Sequence, residues 1–375
     1  MLKYWKYSAA LWVIMPATTS LAADESIALR DHPFWQFDLD ENHTADVTLA
    51  DVDGDGDLDI LTANGLHWAE QDFVYLNSGD GRMLEANYLG QSKSASYTVQ
   101  AGDLDGNGTI DAVVVRDKLD ALVYLNDGTG TYQFSAAVKD SKGNARSAAL
   151  IDMDGDTFPD LLIATRRGAD MIYRGNGKGG FEGGTPLPDA GFGSTGLATG
   201  DLDKDGDIDI VIARRDDAES VIMFNQHGSF RPVVLLGSKG DHRKAVIAEL
   251  TGDQYPDIVL ADTDGSLLLY RGSATGEFGP PQSFGSVGDT VQTLAPVDLD
   301  GDGDFDLFAG CEGRNILFQN DGKGVFSRQE FGDKADTYGV AIGDMNGDGL
   351  PDIIVANSGS ANQVFLNQGQ QAADQ

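Results

Sequence analysis

Apolar and polar positions in this chain fall into short bursts that recur with a fixed grammar. In one copy, residues 96–101 (Ser-Tyr-Thr-Val-Gln-Ala) alternate. An acidic loop then runs from Asp103 to Asp111, and Ala112-Val-Val-Val115 leaves it as an unbroken apolar run. A polar connection (116–120) leads to Leu122-Val-Tyr-Leu-Asn126, followed by the tight turn Asp127-Gly-Thr-Gly130 and a last stretch from Thr131. Alternation reads as a half-buried strand, a solid β-branched run as a strand buried on both faces, and Asp-Gly clusters as turns. Each copy is therefore predicted to be an antiparallel meander of four strands. Beyond the N-terminal apolar stretch no segment sustains a helical period.

The grammar is written seven times, with acidic loops starting at Asp51, Asp103, Asp152, Asp201, Glu249, Asp298 and Asp344, separated by 52, 49, 49, 48, 49 and 46 residues. Four strands in about 49 residues suit a propeller blade better than the rung of a linear stack, which is the alternative architecture. The expected fold is all-β, a seven-bladed β-propeller of four-stranded antiparallel blades. The last copy (338–342, 352–355, 363–367) lacks a fourth strand. The aromatic segment Phe34-Trp-Gln-Phe-Asp-Leu39, in the register of residues 326–331, is predicted to supply it and join the chain's ends. The propeller is thus expected over 32–368, with a polar tail at 369–375.

The loops carry the candidate chemistry. Carboxylates at positions 1, 3, 5 and 9 of a nine-residue loop are hard oxygen donors spaced to surround one cation, and the carbonyl at position 7 adds another oxygen. Glycines at positions 4 and 6 allow the positive φ that such a turn requires. The candidate ligands are Asp51, Asp53, Asp55, Asp57 and Asp59 in loop one; Asp103, Asp105, Asn107, Thr109 and Asp111 in loop two; and Asp152, Asp154, Asp156, Phe158 and Asp160 in loop three. Loop four offers Asp201, Asp203, Asp205, Asp207 and Asp209, loop six Asp298, Asp300, Asp302, Asp304 and Asp306, and loop seven Asp344, Asn346, Asp348, Leu350 and Asp352. Calcium, with six to eight oxygens in loose geometry, is the best match and magnesium the second, giving about six bound ions. Loop three has Thr157 at position 6. Loop five reads Glu249, Thr251, Asp253, Gln254, Asp257 and is expected to keep its shape through hydrogen bonds alone. The turns Asn126-Asp-Gly-Thr-Gly130 and Asn320-Asp-Gly-Lys-Gly324 lack the carboxylate spacing and show what plain turns look like here. An EF-hand is excluded, because it needs a glutamate at position 12, where Thr62, Val114 and Ile212 stand.

Residues 1–22 pair Lys3 and Lys6 with an apolar run ending in Ser20-Leu21-Ala22, which reads as a cleaved export signal; an uncleaved anchor is the alternative. No other hydrophobic span follows, so the mature protein is expected to be secreted or periplasmic, without a transmembrane segment. The single cysteine, Cys311, leaves bound metal as the available staple. The formal charge of −34 argues against nucleic acid as a partner, although bound divalent ions would offset part of it.

The pattern Asp-x-Asp-x-Asp-Gly-x-x-Asp, followed by an apolar strand and Tyr/Phe-Leu-Asn, resembles the FG-GAP/VCBS repeat of the integrin α-chain propeller and of many exported bacterial proteins. The resemblance covers nearly the whole mature chain. It implies a seven-bladed propeller with calcium between the first and second strands of a blade and ligand on the opposite face. Loop five departs at positions 1, 3 and 6 and loop three at position 6. The extra domains of an integrin chain are missing, so a receptor role does not transfer.

On that opposite face the connecting loops hold Arg116, Arg146, Arg166, Arg214, His242 and Arg243, with His43, His67, Trp68, Tyr97 and Tyr338. A basic, aromatic-bearing funnel on an acidic body suits an anionic ligand such as a uronate or sulfated glycan. The expected function is a non-catalytic ligand-binding or adhesion module for a protein or glycan. The alternative is a polysaccharide lyase or lectin for anionic glycans, with His242, Arg243 and Lys244 and either Tyr97 or Tyr338 to supply acid, base and neutraliser. No nucleophile elbow, zinc-ligand pair or nucleotide loop is present.

Overall fold

The computed structural model describes residues 27–189 and 191–370; the export-signal expectation at 1–22 lies outside the described residues. Among the described residues the chain is all-β apart from one three-residue 3-10 turn, Pro33–Trp35. Repeats one to five each form a separate four-stranded antiparallel sheet. In repeat one the strands are Thr44–Ala50, Asp59–Asn64, Phe73–Asn77 and Met83–Tyr88, paired in chain order. Repeats six and seven share one larger sheet because two long strands, Asp306–Asn320 and Phe326–Gly343, each run from one set of partners to another. The first half of Asp306–Asn320 pairs with Val291–Val297, and its second half, past Gly313, pairs with the start of Phe326–Gly343.

Burial grades outward across each sheet. The second strands, such as Asp59–Asn64 and Asp209–Arg214, are buried at every position, as expected for an apolar run covered on both faces. The fourth strands, such as Met83–Tyr88 and Tyr132–Ala137, are mostly exposed. The core therefore lies between sheets. One apolar cluster joins Leu61, Val74 and Leu89 of repeat one to Val99, Val114 and Tyr124 of repeat two. A similar cluster joins Val47, Ile60 and Tyr75 of repeat one to Met345, Ile354 and Val364 of repeat seven. The first strand of each repeat packs on that of the next, and Phe326–Gly343 packs on Thr44–Ala50.

The N-terminal segment differs from expectation. The free edge of Asn362–Gln370 is taken by two short pieces, Ile27–Arg30 and Gln36–Phe37, rather than by one strand over 34–39. Pro33 fixes φ and lacks an amide hydrogen, and His32 Nδ1 accepts the Phe34 N–H at 3.1 Å, so the chain makes a 3-10 turn between them. Phe37 and Ile27 are buried, whereas Phe34 is 72% exposed.

Ile353→Ala, at a fully buried second-strand position between repeats six and seven, is expected to cost about 2–5 kcal/mol in urea denaturation. Phe34→Ala should change stability by less than about 0.5 kcal/mol; a large loss would mean the aromatic is packed.

Candidate functional site

Each acidic loop is built from side chains that fold back on their own amides. In loop one, Asp51 Oδ1 accepts the Gly54 N–H at 2.7 Å, Asp53 Oδ1 that of Asp55 at 3.2 Å, and Asp55 Oδ1 that of Asp57 at 2.9 Å. The same turn from position 5 to the position 7 amide recurs at Thr109, Phe158, Asp207, Asp304 and Leu350. Position 9 behaves differently. Asp59 is fully buried and accepts two amides, from Val52 at 2.9 Å on Oδ2 and from Asn77 at 2.9 Å on Oδ1. Asp111, Asp160, Asp209, Asp257, Asp306 and Asp352 each repeat this bridge from loop position 2 to the third strand. Burial pushes the carboxyls of Asp59, Asp111 and Asp209 up to about 6 and those of Asp306 and Asp352 up to about 7.

The position 9 contact is extended into the neighbouring repeat. Asn77, whose amide is bound by Asp59, donates its Nδ2 to the Met345 carbonyl of loop seven at 2.8 Å. Asn126, Asn225, Asn320 and Asn367 do the same to Val52, Met153, Leu250 and Leu299 of the preceding loops.

The remaining carboxylates converge. Asp51, Asp53 and Asp59 present oxygens all within 4.8 Å of one another, as do Asp103, Asp105 and Asp111, Asp152, Asp154 and Asp160, Asp201, Asp203 and Asp209, and Asp298, Asp300 and Asp302. Burial, reinforced by Asp302 and Asp298, pushes Asp300 up to about 6, and Asp53 and Asp203 are also raised. Asp201 Oδ1 and Asp203 Oδ1 are buried with no hydrogen-bond partner. An all-oxygen donor set with unsatisfied buried oxygens fits a hard divalent cation. Loop three differs: Arg174 stands where repeats one, two, four, six and seven have leucine, phenylalanine or glutamine and repeat five has Arg271, and its Nη1 contacts Asp160 and lies 3.4 Å from Asp154 Oδ2. That loop carries a cation of its own. In loop five one oxygen of Glu249 is committed to the amides of Thr251, Gly252 and Asp253. Thr157 and Gln254, the two non-glycine residues at position 6, take positive φ of 78° and 74°.

The first strands end, away from these loops, at a cavity of about 630 Å³ to which all seven repeats contribute. Its construction is a repeated register slip. In every first strand one residue has no partner on the second strand: Ala45, Tyr97, Arg146, Thr195, Arg243, Gln292 and Tyr338. Such a bulge re-aims the extra side chain, and all of these residues line the cavity. Around them, Arg146 pairs with Asp117 at 3.0 Å and lies over the Tyr97 ring at 4.3 Å. Arg166 grips Asp216 through two hydrogen bonds, and Arg215 Nε is 3.7 Å from Asp241. Arg243 lies over Tyr338 at 5.5 Å, with its Nη1 buried and unpartnered. Trp68 stacks on His43 and is 57% exposed.

Of the six residues expected at this face, Arg146, Arg166 and Arg243 line the cavity, and Arg116, Arg214 and His242 do not. Arg116 turns back to the Asp120 carbonyl, Arg214 binds Asp189 at 3.0 Å, and His242 is buried against the Ser238 carbonyl at 2.8 Å. Arg243, Lys244, Tyr97 and Tyr338 of the set suggested for a lyase line the cavity, and His242 does not. Sequence reasoning missed Asp46, Gln292 and Asp336, which lie on or beside first strands rather than in charged loops.

Sheets of four antiparallel strands packed face to face, with a cavity at one end and acidic loops at the other, define a β-propeller-like repeat protein. An FG-GAP-like repeat matches residues 51–114, 152–212, 249–309 and 298–355. The chain belongs to this family. Among solved structures it is similar to the BP39L lectin from Burkholderia pseudomallei (TM-score 0.68, 13% identity, covering 88% of this chain and 98% of that one). It is also similar to an Agrocybe aegerita lectin that recognises non-reducing terminal N-acetylglucosamine (TM-score 0.57, 21% identity, 85% and 86%). A third likeness is to BBS1N, solved in complex with ARL6DN (TM-score 0.59, 11% identity, 86% and 92%). These likenesses show the fold. No curated protein matches the sequence.

In chelator, Asp306→Ala is expected to cost about 2–5 kcal/mol by leaving the Leu299 and Asn320 amides unpaired, while Asp302→Ala is near neutral. Equal losses in denaturant titrations would mean that position 9 acts only as a ligand.

Proposed function

We propose that this chain is an exported, calcium-stabilised, seven-bladed β-propeller that binds a glycan or protein ligand without chemistry, at the face bearing the axial cavity. The observation that carries the reading is the bulge residue contributed to one cavity by each of the seven repeats. A scaffold selected only for stability has no use for the same register slip in every repeat. The closed seven-blade count is supported by the apolar cluster, the Asn77–Met345 hydrogen bond and the Asn362–Thr44 hydrogen bond between the first and last repeats. In that count the two halves of Asp306–Asn320 and of Phe326–Gly343 serve as four strands, and Ile27–Arg30 completes the seventh blade. Two of the similar structures are lectins, which supports the glycan form of the ligand.

Calcium is assigned to loops one, two, four, six and seven, and more weakly to loop three, where Arg174 competes for Asp154 and Asp160. The position 9 aspartate, whose oxygen converges with those of positions 1 and 3 in loops one to four, would share its carboxylate between the ion and its two amides. The N-terminal signal-like stretch supports export into a calcium-rich compartment.

Two measurements test this. Millimolar calcium is expected to raise the melting temperature by more than about 10 °C over chelator, because several ions bind only the folded chain; superimposable melting curves would overturn the metal assignment. Asp302→Ala should lower the number of bound calcium ions by one and Asp253→Ala should leave it unchanged, both read by calorimetric titration.

A further inference from the structure

The cavity is electrically lopsided. Arg146, Arg166, Arg215, Arg243 and Lys244 enter it from repeats three to five, whereas Asp46 and Asp336 enter from repeats one and seven. Three of the arginines have a carboxylate within reach, namely Asp117, Asp216 and Asp241. Arg243 has no ion-pair partner among the described residues, and its Nη1 is a buried donor with nothing to donate to. Lys244 likewise forms no close ion pair among the described residues. Burial lowers the pKa of the Lys244 ammonium, partly offset by the Asp46 carboxylate, and that of the Arg215 guanidinium, and the neighbouring Arg243 charge lowers both further. Like charges crowded into a partly desolvated wall repel one another until an anion joins them.

The neighbouring Gln292 and Asp336 ask for something else, with Asp336 near enough for the Arg243 charge to act on it. Gln292, 2% exposed, is fixed by donating its Nε2 to Glu312 Oε1 at 2.5 Å and, at 3.4 Å, to Asp336 Oδ1. Its Oε1 is a buried acceptor without a donor. Asp336, pushed up to about 6 by burial and by Glu312, lies beside it as a second acceptor. Trp68, which also lines the cavity, offers a large exposed ring. A ligand that satisfies all three features carries a carboxylate for Arg243 and Lys244, hydroxyls that donate to Gln292 and Asp336, and an apolar ring face for Trp68. An acidic peptide supplies the carboxylates but lacks a cluster of hydroxyl donors.

We propose that the axial cavity is a subsite for a uronic acid residue of an acidic glycan, its carboxylate held by Arg243 and Lys244 and its hydroxyls by Gln292 and Asp336. The assignment rests on the ligand-binding reading of this face and deepens it. About 630 Å³ accommodates a short oligosaccharide end and excludes a folded partner.

The test titrates the calcium-loaded protein with oligogalacturonate of two to four residues, with the same oligosaccharide after carboxyl reduction, and with an oligoglutamate peptide. Oligogalacturonate is expected to bind, with affinity falling as salt rises. Carboxyl reduction, or Arg243→Gln, should weaken binding about tenfold or more. Trp68→Ala, at an exposed site that does not hold the fold, should also weaken it, and Lys178→Gln, in the exposed turn after the third strand of repeat three, should not. If the reduced oligosaccharide binds as well and Arg243→Gln changes nothing, the uronate assignment falls while glycan binding stands. If only the peptide binds, the uronate assignment falls in favour of a protein ligand. If none of the three probes binds, the uronate assignment falls; if a wider array of neutral and acidic glycans is also silent, the glycan form of the proposed function falls with it.

Discussion

One buried carboxylate per repeat, at position 9 of each acidic loop, is the constraint on which the rest of the architecture depends. Its two oxygens take the amide at the loop's second position and the amide at the end of the third strand, so loop and sheet are fixed by one side chain. Where the third strand ends in asparagine, that residue's side chain reaches the previous loop and carries the same fixation across the interface. The aspartate is present in all seven repeats, including the fifth, whose loop has lost much of its ligand set. That persistence separates two roles which the nine-residue pattern runs together. Positions 1 and 3 gather oxygens toward a common point, joined by position 9 in loops one to four and by position 5 in loop six, and position 9 also holds the frame.

Much of the scaffold is local, and local features are what a single sequence exposes. The solid apolar run after each loop, the Asp-Gly turns and the 1-3-5-9 spacing all lie within a few residues of one another, so the four-strand unit and the loops could be read directly. The arginine in loop three was also visible, since Tyr173-Arg174-Gly175 stands where repeats one and two write Tyr-Leu-Asn. Its meaning came only with the guanidinium placed against Asp154 and Asp160.

What could not be read depends on partners far along the chain. Ile27–Arg30 is a short apolar stretch of no special character until Asn362–Gln370 lies beside it. Pro33 and the capped turn after it outweighed the aromatic pattern of residues 34–37. The bulges leave no compositional mark either, because the residues that occupy them range from alanine to arginine and tyrosine. Of the six residues singled out from the connecting loops only three line the cavity, and counting charges overlooked Gln292 and Asp336, which are positioned by strand register.

The bulges also divide labour within the molecule. A residue without a ladder partner contributes nothing to the pairing on either side of it, so swapping its side chain leaves the hydrogen-bonded frame undisturbed. The seven bulge positions that line the cavity then act like interchangeable bits in a fixed chuck. New recognition chemistry needs only point substitutions there, with no insertion, no longer loop and no repacking between sheets.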